Sequence, residues 1–180
     1  MIFVITEKEN YDHTNLNLGE FVDVRFNGGK TLKGKVPPTA FRIDDLRPPF
    51  DYLESGGKIV ISSRLKELFD TAGVDAEYFE VQMVDKKNRP IGTRHFLVNP
   101  MNIVDCIDEE NSMIRRSGPN NIIESISSLA LRKPQTTFPP LFLPKGFQFI
   151  ACVNEHLASI LNTRDISNLR VTGLLNYSFP

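Results

Sequence analysis

A chain of 180 residues, 41% hydrophobic and 24% charged, carries enough apolar material for one sizeable core and excludes extended disorder. A formal net charge of −1 excludes the strong basic excess of a nucleic-acid-binding surface and equally the acidic excess of a nucleic-acid mimic. The expectation is therefore a single domain spanning residues 1–180, with no nucleic-acid partner.

The first apolar run, Met1 to Ile5, stops at Thr6-Glu7-Lys8-Glu9 and lacks a basic leader, so it reads as a strand rather than a signal peptide. No segment approaches the ~20 apolar residues of a membrane-spanning helix. The expectation is a cytoplasmic protein with no membrane contact. His13 sits beside Asp12 in a polar stretch and reads as a solvated loop residue. Phe21 to Phe26 predicts a second strand, and Asn27-Gly28-Gly29-Lys30 a turn. That turn lacks the spacing of a phosphate-binding loop. Residues 35–52 are rich in proline and predict irregular chain, ending in aromatics at Phe50 and Tyr52 that should pin it to the core.

Ile59-Val60-Ile61 predicts a strand, with Ser62 or Ser63 as the helix N-cap that follows. Leu65, Leu68, Phe69 and Ala72 fall on one helical face, and Gly73 supplies the stop. Phe79, Val81 and Met83 alternate with Glu80 and Gln82, so a strand follows, folding back through residues 85–92 onto Arg94 to Val98 as a hairpin. Asn102 to Ile107 predicts another strand, residues 108–121 a polar surface loop, and residues 122–131 either helix or strand, with strand favoured at the end. A linker over residues 134–140 leads to a short strand at Leu141 to Leu143. Phe147, Phe149, Ala151 and Val153 alternate as a strand, and Asn154 caps a helix with Leu157, Ile160 and Leu161 as its stripe. A return strand at Leu169 to Val171 precedes a surface tail over residues 173–180.

This chain order contains the same unit twice. Sliding by 92 positions puts Ile61 on Val153, Ser62 on Asn154, Leu65 on Leu157, Leu68 on Ile160 and Val74 on Ile166. Each copy is a strand, a polar cap, a short amphipathic helix and a return strand. The predicted fold class is α+β, a mostly antiparallel or mixed sheet carrying two short amphipathic helices.

Candidate chemistry is sparse. His95 inside a strand and His156 in a first helical turn read as structural or surface residues, and no His/Cys spacing suggests a metal. Cys106 and Cys152 read as buried free thiols. No cofactor is indicated. Two charged clusters stand at positions where binding proteins display contacts: Lys86, Lys87 and Arg89 at the hairpin tip, and Asp108, Glu109 and Glu110 opening the polar loop. These are the candidate partner-binding residues.

Several segments together, Asp51-Tyr52-Leu53, Ile59 to Leu68, Tyr78-Phe79-Glu80-Val81, Asn102 to Asp108, Leu141 to Gly146 and Asn154 to Leu157, resemble a large family of bacterial immunity proteins from polymorphic toxin systems, first catalogued as a domain of unknown function. The similarity spans roughly residues 50–171. Its members usually carry a serine cap where Asn154 stands, and a glycine after that helix where this chain has Asp165 to Asn168. The resemblance implies a non-catalytic inhibitor that binds the toxic domain of a cognate effector, with no catalytic residues to transfer. Two other readings stay open from the residues themselves: a small enzyme assembled from scattered groups such as His95, Asp105 and Cys106, or a scaffold whose partner is not toxic.

Overall fold

The computed structural model describes residues 1–8, 13–15, 26–43, 50–55, 57–119, 122–132 and 137–177. In chain order its elements are β1 (Ile2–Glu7), β2 (His13–Asn15), β3 (Thr39–Ile43), β4 (Tyr52–Ser55), β5 (Lys58–Ser62), α1 (Ser63–Thr71), β6 (Ala76–Asp85) and β7 (His95–Pro100). There follow β8 (Ile103–Val104), β9 (Met113–Ser117), β10 (Ile122–Ser128), β11 (Leu141–Pro144), β12 (Ala151–Asn154), α2 (Glu155–Asn162) and β13 (Leu169–Gly173). The strands form a five-stranded sheet, β13-β1-β12-β11-β8, a six-stranded sheet, β2-β3-β6-β7-β5-β4, and the two-stranded hairpin β9–β10. Pairing is antiparallel except for β3 with β6 and β8 with β11. The α+β class follows.

The repeated unit is real, and larger than a strand–helix–strand. In the first copy β5 and β6 do not pair with each other; β7 lies between them, antiparallel to both. In the second copy β12 and β13 likewise flank β1, antiparallel to both. An outer antiparallel strand completes each set, β4 beside β5 and β11 beside β12. The orders β4-β5-β7-β6 and β11-β12-β1-β13 are one topology with one strand moved. The middle strand follows the helix unit in the first copy and comes first in chain order in the second.

Alternation divides these strands between three apolar clusters. Ile59, Ile61, Phe96 and Val98 from one sheet meet Ile5, Leu141, Ala151 and Val153 from the other in a central cluster that also takes Leu65, Phe69, Leu157 and Leu161 from the helices. The intervening Val60 and Leu97 turn to a second cluster with Phe41, Phe50, Leu53 and Val81. Their counterparts Val4, Phe142 and Cys152 turn to a third, roofed by Ile123, Ile126 and Leu129. Strands buried on both faces lose period-two polarity, which is why these stretches read as unbroken apolar runs.

Both helix starts have the predicted chemistry. The Ser62 hydroxyl oxygen accepts the Leu65 N–H at 3.2 Å, and the Asn154 carboxamide oxygen accepts the Leu157 N–H at 3.0 Å. Each cap also donates its own backbone N–H to the residue preceding the outer strand, Ser62 to the Asp51 carbonyl at 2.9 Å and Asn154 to the Pro140 carbonyl at 3.1 Å. Ser62 further donates its hydroxyl to Asp51 Oδ1 at 2.6 Å. Proline offers no such carboxylate, and the longer Asn154 side chain instead donates to the Phe138 carbonyl at 3.0 Å. Gly73, at φ 72°, ends the first helix, while in the second copy the left-handed position is Asn168, at φ 61°. The segment holding Asn168 is clamped to the first copy: Asp51 Oδ2 accepts the Ser167 N–H at 2.9 Å, and Asn168 Nδ2 donates to the Tyr52 carbonyl at 3.0 Å.

Several expectations are corrected. The proline-rich stretch contains β3, because Phe41 and Ile43 alternate with Ala40 and Arg42 and dock parallel to β6. His13 lies in β2 rather than a loop. The strand predicted over residues 21–26 falls outside the described residues apart from Phe26, which is in a turn. The polar loop contains β9, paired with β10, which begins at Ile122 rather than near residue 128. The strand at Asn102 to Ile107 shrinks to Ile103–Val104. The strand before α2 starts only at Ala151, leaving Phe149 in a turn and 76% exposed. In the tail, Leu174–Asn176 form a 3-10 turn that buries Leu174.

Candidate functional site

The tip joining β6 to β7 is organised by Asp85, a residue the sequence reading passed over. Its carboxylate accepts the backbone N–H of Lys87 at 2.8 Å and of Arg89 at 2.9 Å, and the Arg89 Nε–H at 2.7 Å. These bonds hold the Asp85 carboxyl down to about 2, the Arg89 N–H contributing most. Asn88, at φ 58°, closes the turn. The Arg89 charge is thus spent on Asp85, whereas the Lys86 and Lys87 side chains are exposed and meet no carboxylate among the described residues. An aspartate opening the turn and an asparagine at its left-handed position are the signals that mark this construction in sequence.

The acidic residues lie elsewhere, at the turn that follows β8 and the isolated bridge Ile107↔Leu131. Asp108 accepts the Asn111 Nδ2–H at 2.8 Å, which with the Asn111 backbone N–H holds its carboxyl below the usual carboxylate range. Glu109 pairs with Arg116 on β9, and Glu110 is exposed. The three acids line a cleft of about 490 Å³ together with Asp105, Arg132 and Lys145. Asp105 bridges the two bases, at 2.8 Å from Arg132 and 3.4 Å from Lys145. Arg132 and Lys145 were not foreseen, because they lie 27 and 40 residues from Asp105 and only the fold joins them. The tip belongs to the six-stranded sheet and the cleft to the edge of the five-stranded one, so the two candidate clusters form separate surfaces.

Of the groups considered for catalysis, His95 lies in β7 of the six-stranded sheet, apart from the adjacent Asp105 and Cys106. His95 is 1% exposed, its Nε2 lies 2.9 Å from the Phe50 carbonyl and its ring 4.9 Å from the Phe50 ring. It ties β7 to the segment entering β4. Cys106 is buried in the third cluster, where burial first and the charge of Asp105 second push its thiol up to about 11. Burial also pushes the Cys152 thiol up strongly. Asp105 is an exposed ion-pair member. His156 is exposed on α2. Among the described residues no group of three or more His, Cys, Asp or Glu stands where it would hold a metal, and no helix is long and apolar enough to cross a membrane.

Compared with known proteins, residues 7–173 match the model of an immunity protein family, Imm11. The match includes the amino-terminal part of the chain, where the sequence resemblance did not reach. No curated protein matches the chain.

Proposed function

This chain belongs to the Imm11 immunity protein family and is a toxin-neutralising immunity protein; from that premise we propose that it works without catalysis, by binding the toxic domain of a cognate bacterial effector in the cytoplasm. The effector belongs to a polymorphic toxin system used in competition between bacteria. The whole of residues 1–180 acts as one domain, contacting neither nucleic acid nor membrane. The observation that carries the reading is the family match from residue 7 to residue 173. The packing supports a binding role: His95 is committed to the fold, and the Cys106 thiol is held in the protonated form that does not attack.

Inhibition by occlusion needs a specific interface, typically about 1,600 Å² with a few buried anchors. We place its contacts at the two charged surfaces, Lys86, Lys87 and Arg89 on the hairpin tip and Asp108, Glu109 and Glu110 in the cleft. The test is co-expression with the toxic domain encoded beside this gene, scoring survival and co-purification. Rescue of growth with recovery of a complex is expected. Growth no better than with the toxin alone, and no complex, would sink the proposal.

A further inference from the structure

The six-stranded sheet carries an open trough that the repeat does not explain. On β6, Val81 and Met83 are 3% and 2% exposed and face the second cluster, so Glu80 and Gln82 lie on the opposite face. That face is the one the central core uses further along: Glu80 is paired with Phe96, and Tyr78 with Val98. Helix α1 covers it as far as Lys66, whose Nζ lies 4.6 Å from the Tyr78 ring centre. Beyond that point Glu80 and Gln82 are exposed. Ala40, paired with Gln82, and Gly92 and Thr93 form a floor of small residues, bordered by Glu80, Gln82 and Arg94, in a hollow of about 640 Å³.

Among the described residues the second copy has no counterpart. Its β13 stops at Gly173, opposite Phe3, and turns into the 3-10 segment, whereas β6 runs on to Asp85 and gains β3 as a neighbour. The trough is therefore built from what the first copy adds to the shared scaffold. Its charge is lopsided. Arg89 and Arg94 are matched by Asp85 and Glu80, while Lys86 and Lys87 at the adjoining tip are matched by nothing described. Arg94 contacts Glu80 at 2.8 Å, but with the arginine side chain 67% exposed the pair is weakly held and open to exchange.

We propose that this trough seats an extended acidic segment of the toxin, with Lys86 and Lys87 taking its carboxylates and the floor at Ala40 and Gly92 admitting its backbone. This rests on the reading of the chain as an immunity protein. Carboxylates arriving at the tip release no buried charge and meet two exposed ammonium groups that pair with no carboxylate among the described residues, so encounter is steered and salt-sensitive. Gly92 makes the close approach possible, and a Cβ added there meets no atom within 4 Å, so a side chain can start there without a clash.

The test uses the full chain and the toxic domain encoded beside its gene, with affinity measured by calorimetry over a series of salt concentrations. Lys86→Glu/Lys87→Glu and, separately, Gly92→Phe are each expected to weaken binding by about tenfold or more while melting temperature stays that of the parent. Parent affinity is expected to fall as salt rises. Parent-like affinity in both variants, with the parent complex intact, overturns the trough and leaves the immunity reading standing. Absence of any parent complex overturns the immunity reading and this proposal with it. Should Gly92→Phe fail to fold, the lysine pair, exposed at a turn, decides alone.

Discussion

Glu54 shows how a single carboxylate at the seam between the sheets sets a pH dependence. It accepts the Tyr52 hydroxyl at 2.7 Å, and its backbone N–H donates to Glu7 of β1. Burial raises its pKa, the Tyr52 hydrogen bond opposes that, and the charge of Glu7 adds to it. A carboxyl raised in the folded state binds its proton more tightly there than in the unfolded chain. Its contribution is therefore fully present below the unfolded value of about 4.3 and is lost as pH rises through the folded one. Glu54→Gln stays neutral and keeps an oxygen for Tyr52. Urea titrations should find the variant more stable than the parent by about 1 kcal/mol near pH 7, with the gap closing towards pH 4. Equal stabilities near neutrality would show that water or a neighbouring group already relieves the charge.

At the scale of elements, the two helices share a cap geometry but not its support. Ser62 caps α1 and also donates to Asp51, which is 8% exposed and holds Ser167 as well. Asn154 caps α2, and its side chain donates to the Phe138 carbonyl, with no buried carboxylate involved. Removing Ser62 thus strips a partner from a buried carboxylate, a larger loss than a cap alone. Ser62→Ala is expected to cost about 2 kcal/mol and Asn154→Ala about 1 kcal/mol in thermal or chemical unfolding. Comparable losses at both sites would mean that Asp51 finds another donor. The caps were legible because their signal is local: a polar residue, then apolar residues at helical spacing. The strands β3 and β9 were not, since Phe41 and Ile43 among prolines become a strand only against β6, and the charged β9 only against β10. Phe149 erred the other way, its alternation continuing a strand that the chain has already left for a turn. The candidate site was readable to the same extent. The charged tips declared themselves as turns, but the ion pairs of Asp105 and the floor of the trough are assembled from β-neighbours distant in sequence.

On the scale of the whole molecule, the permuted repeat makes a claim about connectivity that can be tested. If β1 occupies the place of β7, its position in the order of the chain should matter less than its position in the sheet. Its partners support this: Ile2 to Ile5 pair with Asn154 to Ala151, and Phe3 to Glu7 with Gly173 to Leu169, all contacts that close nearly the full length of the chain. The 3-10 turn after β13 packs beside the start of β1, so a short flexible linker can join the two regions without spanning the sheet. A permutant that runs from residue 8 to residue 180, then through such a linker to residues 1–7, converts the second copy to the chain order of the first. Cutting before Lys8 leaves its N–H free to keep its 3.0 Å bond to the Asn168 carbonyl. The permutant should unfold in one cooperative transition, within about 2 kcal/mol of the parent, because each strand keeps its neighbours. It should also refold faster, since pairings that spanned the chain become local and their closure entropy falls. The control is the unpermuted chain carrying the same linker at its end. If that control folds while the permutant collapses into an uncooperative state, β1 is a clasp that depends on its link to residue 8. If the permutant folds and still protects against the toxin, the two halves are interchangeable scaffolds, and recognition resides in the features that only one of them carries.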